Sequence, residues 1–435
     1  MKRIYLMVVL LAVVFTAHAQ QRISLFYDHV ESISCHAMAQ TPQEVQQFKA
    51  EVLNDLKENI LPFWMNNDVD PAGGFYGNLD RTGKPIKNGQ KGGVLNARII
   101  WSFSRAYFLF GNPRYKELAD RAQDYYLNHF VDPEYGGTYW LLNADGSVKD
   151  SDKQTYGISY GIYGLSEHYR ATGNRKSLDQ AIALFRTLED KVRDPQKDGY
   201  IESYTRTWGT PKKLGYDGAG ESSKTMNTHI HVLESYTNLY TVWRDAELKE
   251  RLGKIILLIT DKFYNPQTHH LNLYFDDDWN NLENIASYGH DIETAWLLTE
   301  AAEVYGDEKL LERCREIALD LTDYALKEGL TSTNYMMYEM NGNHLRDDAS
   351  WWCQAETVVG CVNAWQITGN SKYLQQAINT WQFIKNYMVD KEYGEWFRTV
   401  MPDLKPRLTD LKTSMWNCPY HNSRMGFEIF SRVKM

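Results

Sequence analysis

Asp70-Pro71-Ala72-Gly73-Gly74-Phe75-Tyr76-Gly77 carries a turn signature, Asp-Pro leading into paired glycines and aromatic residues, that recurs along the chain. It returns as Asp132-Pro133 before Gly136-Gly137-Thr138-Tyr139-Trp140, and as Asp194-Pro195 before Asp198-Gly199-Tyr200-Ile201. Asn265-Pro266 ahead of Leu271-Asn272-Leu273-Tyr274 is a fourth version. Weaker ones are Glu328-Gly329-Leu330 and, without the proline, Asp390-Lys391-Glu392-Tyr393-Gly394-Glu395-Trp396. Successive copies lie roughly 60 to 70 residues apart, a period that reports architecture. Between copies there is room for two helices of ordinary length, as in Gly92 to Phe110 followed by Pro113 to Phe130. Six such helix pairs, with turn-and-strand elements on one side, predict twelve helices. Closed into a ring they make an all-α (α/α)6 barrel with short β-hairpin loops on one side; an open α-solenoid is the other arrangement the period allows.

Composition is consistent with a large packed core: 435 residues, 43% hydrophobic and 24% charged. A net charge of −9 without a basic cluster weighs against nucleic acid and anionic membranes as partners. The 13 Trp and 29 Tyr are many; packing between helices accounts for most of them, and a ligand with apolar faces, such as a sugar, would explain part. Lys2 and Arg3 precede an apolar run to about Phe15 and then Ala17-His18-Ala19, the pattern of a secretory signal peptide over residues 1–19. This predicts a periplasmic or secreted protein, or a cytoplasmic one if translation starts at Met38. Residues 20–40 read as a spacer and 41–435 as one catalytic domain, opening on the cap Thr41-Pro42-Gln43-Glu44. The five cysteines are odd in number and scattered, so neither a disulfide framework nor a zinc motif is predicted.

Chemistry concentrates at predicted helix starts. In Ser287-Tyr288-Gly289-His290-Asp291-Ile292-Glu293, His290 and Glu293 stand three apart, a spacing that puts them on one helix face within reach. His231 and Glu234 repeat that spacing, whereas His229 points elsewhere and reads as structural. Arg98 sits in the apolar stretch Leu95-Asn96-Ala97-Arg98-Ile99-Ile100-Trp101, where it needs either an internal glutamate or a substrate oxygen. Trp351-Trp352-Cys353-Gln354-Ala355-Glu356 and Trp416-Asn417-Cys418-Pro419-Tyr420-His421 suit a pyranose, whose ring faces are apolar and whose hydroxyls need polar partners. The histidines also raise a zinc or iron reading, but no spacing with a nearby third ligand fixes it. With no nucleophilic serine motif, P-loop or dinucleotide fingerprint, the histidines and arginine fit proton abstraction beside a carbonyl. Return of the proton to C2 on the opposite face gives an epimer, and return to C1 gives a ketose. The residues alone leave both open.

These segments resemble the N-acylglucosamine 2-epimerase superfamily, most closely its cellobiose 2-epimerase branch. The likeness is carried by Asn96-Ala97-Arg98, Met226-Asn227-Thr228-His229-Ile230-His231-Val232-Leu233-Glu234, Gly289-His290-Asp291-Ile292-Glu293, Trp351-Trp352-x-Gln354-Ala355-Glu356, and Trp416 with His421. The resemblance implies the (α/α)6 barrel and an isomerase needing no organic cofactor and no metal. It implies epimerisation of glucose and mannose at the reducing end of β-1,4-linked disaccharides, cellobiose or mannobiose. It casts His290 and His421 as the acid/base pair, Glu293 as support for His290, and His231 as a third active-site histidine. Arg98 then binds the reacting oxygens, Trp352 and Trp416 pack on sugar rings, Trp351 joins them in the substrate site, and Asn227 and Glu356 make polar contacts. The alternatives are an aldose–ketose isomerase of the same superfamily, an (α/α)6 glycoside hydrolase built on two carboxylates, and a non-catalytic sugar-binding barrel.

Overall fold

All six turns form, and each is closed in the same way. In this computed structural model, which describes residues 43–210 and 222–434, antiparallel bridges pair Val69 with Phe75, Val131 with Thr138, Arg193 with Tyr200, Leu330 with Met336 and Val389 with Trp396. Tyr264 pairs with Leu271 at the remaining copy. The leading carboxylate organises the turn by accepting amides two residues on, as Asp132 Oδ1 does from Glu134 and Asp194 Oδ1 from Gln196. Its second oxygen takes a buried lysine: Lys91 on Asp70 at 2.6 Å, Lys153 on Asp132 at 2.8 Å, Lys224 on Asp194 at 2.8 Å and Lys412 on Asp390 at 2.6 Å. The first three lysines stand two residues ahead of a helix. In the fourth and fifth copies that position is Ala286 or Ala349, and the turn residue is Asn265 or Thr331. Cation and anion are lost together, because either one left alone in the interior would be an uncompensated charge.

Counting each helix with any π-helical turn that extends it, the described residues contain twelve helices. They are α1 (43–67), α2 (Gly93–Phe110), α3 (113–130), α4 (Thr155–Thr172), α5 (175–192), α6 (Met226–Val242), α7 (246–263), α8 (Tyr288–Tyr305), α9 (Glu308–Gly329), α10 (Trp351–Thr368), α11 (371–388) and α12 (Tyr420–Arg432). Each even-numbered helix packs on the next, and α12 returns to α2. That closure distinguishes the (α/α)6 barrel from the open solenoid. Because inner helices meet neighbours on every side, they are buried all round; α2 is buried without a break from Gly93 to Ala106. From α3 to α11, the odd-numbered helices cover the ring from outside, each against its predecessor. Four inner helices stop at a left-handed glycine, Gly111, Gly173, Gly306 or Gly369. The next residue, Asn112, Asn174, Asp307 or Asn370, caps the outer helix that follows.

Since the lysine-bearing segments lead directly into inner helices, the turns gather at the inner helix N-termini. Residues 48–434 make one compact unit. The predicted signal peptide 1–19, the spacer 20–40 and Cys35 lie outside the described residues. The other four cysteines are free and buried. No helix among the described residues is long and apolar enough to cross a membrane.

Candidate active site

The first turns of α2, α4, α6, α8, α10 and α12 bring their polar side chains together inside the ring. Arg424, one turn into α12, donates from Nη2 to Glu293 Oε1 of α8 and to Glu356 Oε1 of α10, each at 2.6 Å. Its Nη1 donates to Glu234 Oε1 of α6 and to the Tyr420 hydroxyl. Three carboxylates from three helices thus converge on one guanidinium that is 1% exposed. His421 packs against the same group, with Nδ1 at 2.7 Å from Glu356 Oε1 and 3.9 Å from Glu293 Oε1. The far oxygen of Glu356 accepts from Trp296 Nε1 at 2.8 Å.

A second chain of contacts starts at Arg98. It donates from Nη2 to the hydroxyls of Tyr156 at 2.8 Å and Tyr160 at 2.7 Å, and its guanidinium stacks on the rings of Tyr160 and Tyr420. Among the described residues no carboxylate pairs with it, and its Nε has no partner. The Tyr160 hydroxyl lies 3.0 Å from His231 Nδ1, which is also 3.0 Å from Glu234 Oε2. Arg98 is therefore a buried cation held by neutral groups, with charge to spare for an incoming anion.

His290 occupies the third position of α8. Its Nδ1 turns back to Ser287 Oγ at 2.7 Å, and its ring lies 4.5 Å from that of Trp352. Trp352 also lies 5.7 Å from His421, so one indole meets both imidazoles. Trp351 lies 6.2 Å from His421. Trp416 joins Trp140 at 6.1 Å and Tyr156 at 5.9 Å in a neighbouring aromatic wall. Asn227, the second residue of α6, leaves its side-chain oxygen without a partner among the described residues.

The electrostatics follow from enclosure. Burial, with the charge of His231 adding to it, pulls His290 down to about 3. Burial and the two arginines, Arg98 and Arg424, push His421 well below the usual imidazole range. Burial also lowers His231, although Glu234 opposes it. All three imidazoles are neutral at physiological pH, the form able to accept a proton. Burial and the neighbouring Glu356 push Glu293 up to about 8 against the pull of Arg424. For Glu234 burial acts upward, but Arg424 and His231 outweigh it and hold the carboxyl at about 2. Glu293, Glu356 and His421 are close enough to share a metal ion. The cation that bonds both carboxylates here is the guanidinium of Arg424.

The family model for N-acylglucosamine 2-epimerase (GlcNAc 2-epimerase) matches residues 74–423, a span containing every residue of this cluster but Arg424. A cellobiose 2-epimerase of Bacteroides fragilis is 45% identical over 386 residues, covering 88% of this chain and 98% of that one. The chain belongs to the N-acylglucosamine 2-epimerase family. It is a sugar 2-epimerase. The solved cellobiose 2-epimerase of Bacillus thermoamylovorans superposes on it with a TM-score of 0.85 at 34% identity, covering 89% of this chain and all of that one. A D-mannose isomerase structure shares the fold at a TM-score of 0.78 and 19% identity, covering 90% and 100% of the two chains.

The inner helix starts of the epimerase carry His231, His290, His421, Glu293, Glu356, Arg98, Trp351 and Trp352. The Trp416 wall adjoins them through Tyr156 and Arg98. One expected contact is corrected: Glu293 does not support His290 but bonds Arg424 and faces His421. Spacing allows the pair to meet, but His290 bonds its own N-cap while Arg424 draws Glu293 inward. At the equal spacing of His231 and Glu234 the contact does form. The internal glutamate considered for Arg98 is likewise replaced by two tyrosines. His229 is structural, with Nδ1 on Thr225 O and Nε2 accepting from the Tyr200 amide. Sequence reasoning missed Ser287, Tyr156, Tyr160, Trp296 and Arg424. Arg424 was discoverable, since it follows His421 by three residues on the same helix.

Proposed function

We propose that this sugar 2-epimerase interconverts glucose and mannose at the reducing end of β-1,4-linked disaccharides, cellobiose or mannobiose, by moving the C2 proton between His421 and His290. The observation that carries the reading is the placement of two imidazoles against one indole, Trp352, each with Nδ1 occupied. Among the described residues neither Nε2 has a protein partner, so both are left for substrate.

Once the reducing sugar opens, its C1 carbonyl acidifies the C2 hydrogen. One imidazole removes that proton; the C–H electrons become the C1=C2 bond and the carbonyl π pair moves to O1. Arg98, held by tyrosine hydroxyls rather than a carboxylate, is placed to stabilise the resulting oxyanion. The second imidazole, entering this direction of the reaction as an imidazolium, gives its Nε2 proton to the opposite face of C2 while the O1 pair re-forms the carbonyl, inverting the centre. Glu356, on His421 Nδ1, stabilises the imidazolium whenever that ring carries the extra proton. The Trp140–Trp416 wall supplies the apolar surface that the second sugar ring of a disaccharide needs. The leader-like residues 1–19 favour a site of action outside the cytoplasm; a mature protein beginning at Gln20 is the expected result of N-terminal mass analysis.

The decisive experiment is NMR product analysis after incubation with cellobiose in deuterated water. Glucosyl-mannose labelled at C2 is expected. A ketose alone would reassign the enzyme to aldose–ketose isomerisation, and released monosaccharide would reassign it to hydrolysis.

A further inference from the structure

Ser287 occupies the N-cap of α8, where a serine hydroxyl ordinarily accepts a hydrogen bond from an amide one turn on. It makes no such bond. Its Oγ instead lies 2.7 Å from His290 Nδ1, and the residue is 1% exposed. The equivalent position of α6, Thr225, does cap, accepting from the Thr228 amide. Ser350, the N-cap of α10, likewise makes no cap bond, so what sets Ser287 apart is its imidazole partner.

The two imidazoles beside Trp352 also differ in what meets Nδ1. Glu356 is a carboxylate, which only accepts, so it holds His421 with Nδ1 protonated and Nε2 as a lone pair. The Ser287 hydroxyl both donates and accepts. When it accepts from Nδ1–H, His290 Nε2 is a lone pair, able to take a proton. Nδ1–H can stay bonded to that oxygen throughout: Nε2 then takes the C2 proton of one epimer as a neutral ring and gives a proton to the C2 face of the other as an imidazolium.

We propose that Ser287 is a positioning residue for the epimerisation, its hydroxyl accepting from His290 Nδ1–H and so holding the ring with Nε2 turned to the sugar. The proposal rests on the assignment of His290 to the C2 proton. The Ser287 hydroxyl neither loses nor gains a proton: transfer is confined to Nε2, and the ring passes between imidazole and imidazolium.

The test uses the full chain with cellobiose, comparing Ser287→Ala and Ser287→Thr with the parent. Ser287→Ala is expected to lower kcat by roughly 10- to 100-fold, as when a partner that orients a histidine is removed, with a smaller change in KM. Its Tm should stay near the parent value, since no cap is lost. Ser287→Thr restores the hydroxyl and should recover most of kcat. Long-range 1H–15N correlation on histidine-labelled protein should show His290 as the Nδ1–H tautomer in the parent and shifted toward Nε2–H in Ser287→Ala. Parental kcat in Ser287→Ala, or a folded Ser287→Thr as slow as the alanine variant, overturns the proposal. So does a drop in Tm without a drop in kcat. A parent protein that leaves the C2 hydrogen of every sugar untouched would instead overturn the epimerase assignment beneath it.

Discussion

Glu356 Oε1 sits 2.7 Å from His421 Nδ1, and both groups are buried. A carboxylate there fixes the tautomer of the ring and steadies its protonated form. Glu356→Gln keeps the shape and removes the charge. We expect kcat for C2 hydrogen exchange to fall roughly 10²- to 10⁴-fold with a much smaller change in KM, measured by deuterium uptake at C2. Exchange at the parental rate would show that His421 works without this partner.

Arg424 is the only guanidinium bonded to Glu234, Glu293 and Glu356 among the described residues, and it is buried with them. Replacing it by methionine leaves three carboxylates in an enclosed space without their cation. Removal of one partner of such a group costs about 3–5 kcal/mol, read by denaturant unfolding. Arg424→Lys preserves the charge but not the fork that reaches three acceptors, and should lie between methionine and the parent. If methionine is tolerated within about 1 kcal/mol, the carboxylates are neutralised in some other way.

The pH dependence has a definite sign. His290 is depressed from 6.5 to about 3 by burial, so kcat/KM should not fall as pH drops through 6.5; its acid limb lies lower. For stability, a depressed histidine contributes above 6.5 and loses that contribution as pH falls toward about 3. Glu293, raised by burial and Glu356, behaves oppositely: its contribution is full below 4.5 and is lost as pH rises through about 8. Glu293→Gln removes this second dependence. Its Tm relative to the parent should climb as pH is raised from about 4.5 to about 8, the window set by that shift. A pH-independent difference would mean that Glu293 is already ionised at the lower end.

The barrel was legible because its period is written in local chemistry. Asp132-Pro133 and Gly136-Gly137 specify a turn whatever surrounds them, and six turns at even spacing leave little choice of architecture. The positions of the histidines were legible too, since Gly289-His290 and Tyr420-His421 stand at helix starts that a ring must bring together. Their partners were not. Whether His290 bonds Ser287 or Glu293 depends on where Arg424 reaches from the far end of the chain, and helical spacing carries no information about α12. Arg98 shows the same limit: its tyrosines lie 58 and 62 residues away on the neighbouring inner helix.

The repeat itself yields the last prediction. Lys412 and Asp390 are both 2% exposed and 2.6 Å apart, and Asp390 also accepts the Glu392 amide inside its turn. Lys412→Met leaves the aspartate charged and enclosed, which should cost about 3–5 kcal/mol of unfolding free energy. Asp390→Asn keeps the amide acceptor and removes the charge, reproducing the fourth copy, where Asn265 accepts the Gln267 amide and Ala286 stands in the lysine position. Combining both changes should therefore restore much of the stability that Lys412→Met alone loses, a coupling read from a double-mutant cycle by urea unfolding. Additive losses would mean that the lysine acts through packing on Phe397, 5.0 Å from its Nζ, rather than through its charge. The coupled result would explain why two of the six turns do without the pair and yet close with the same bridge.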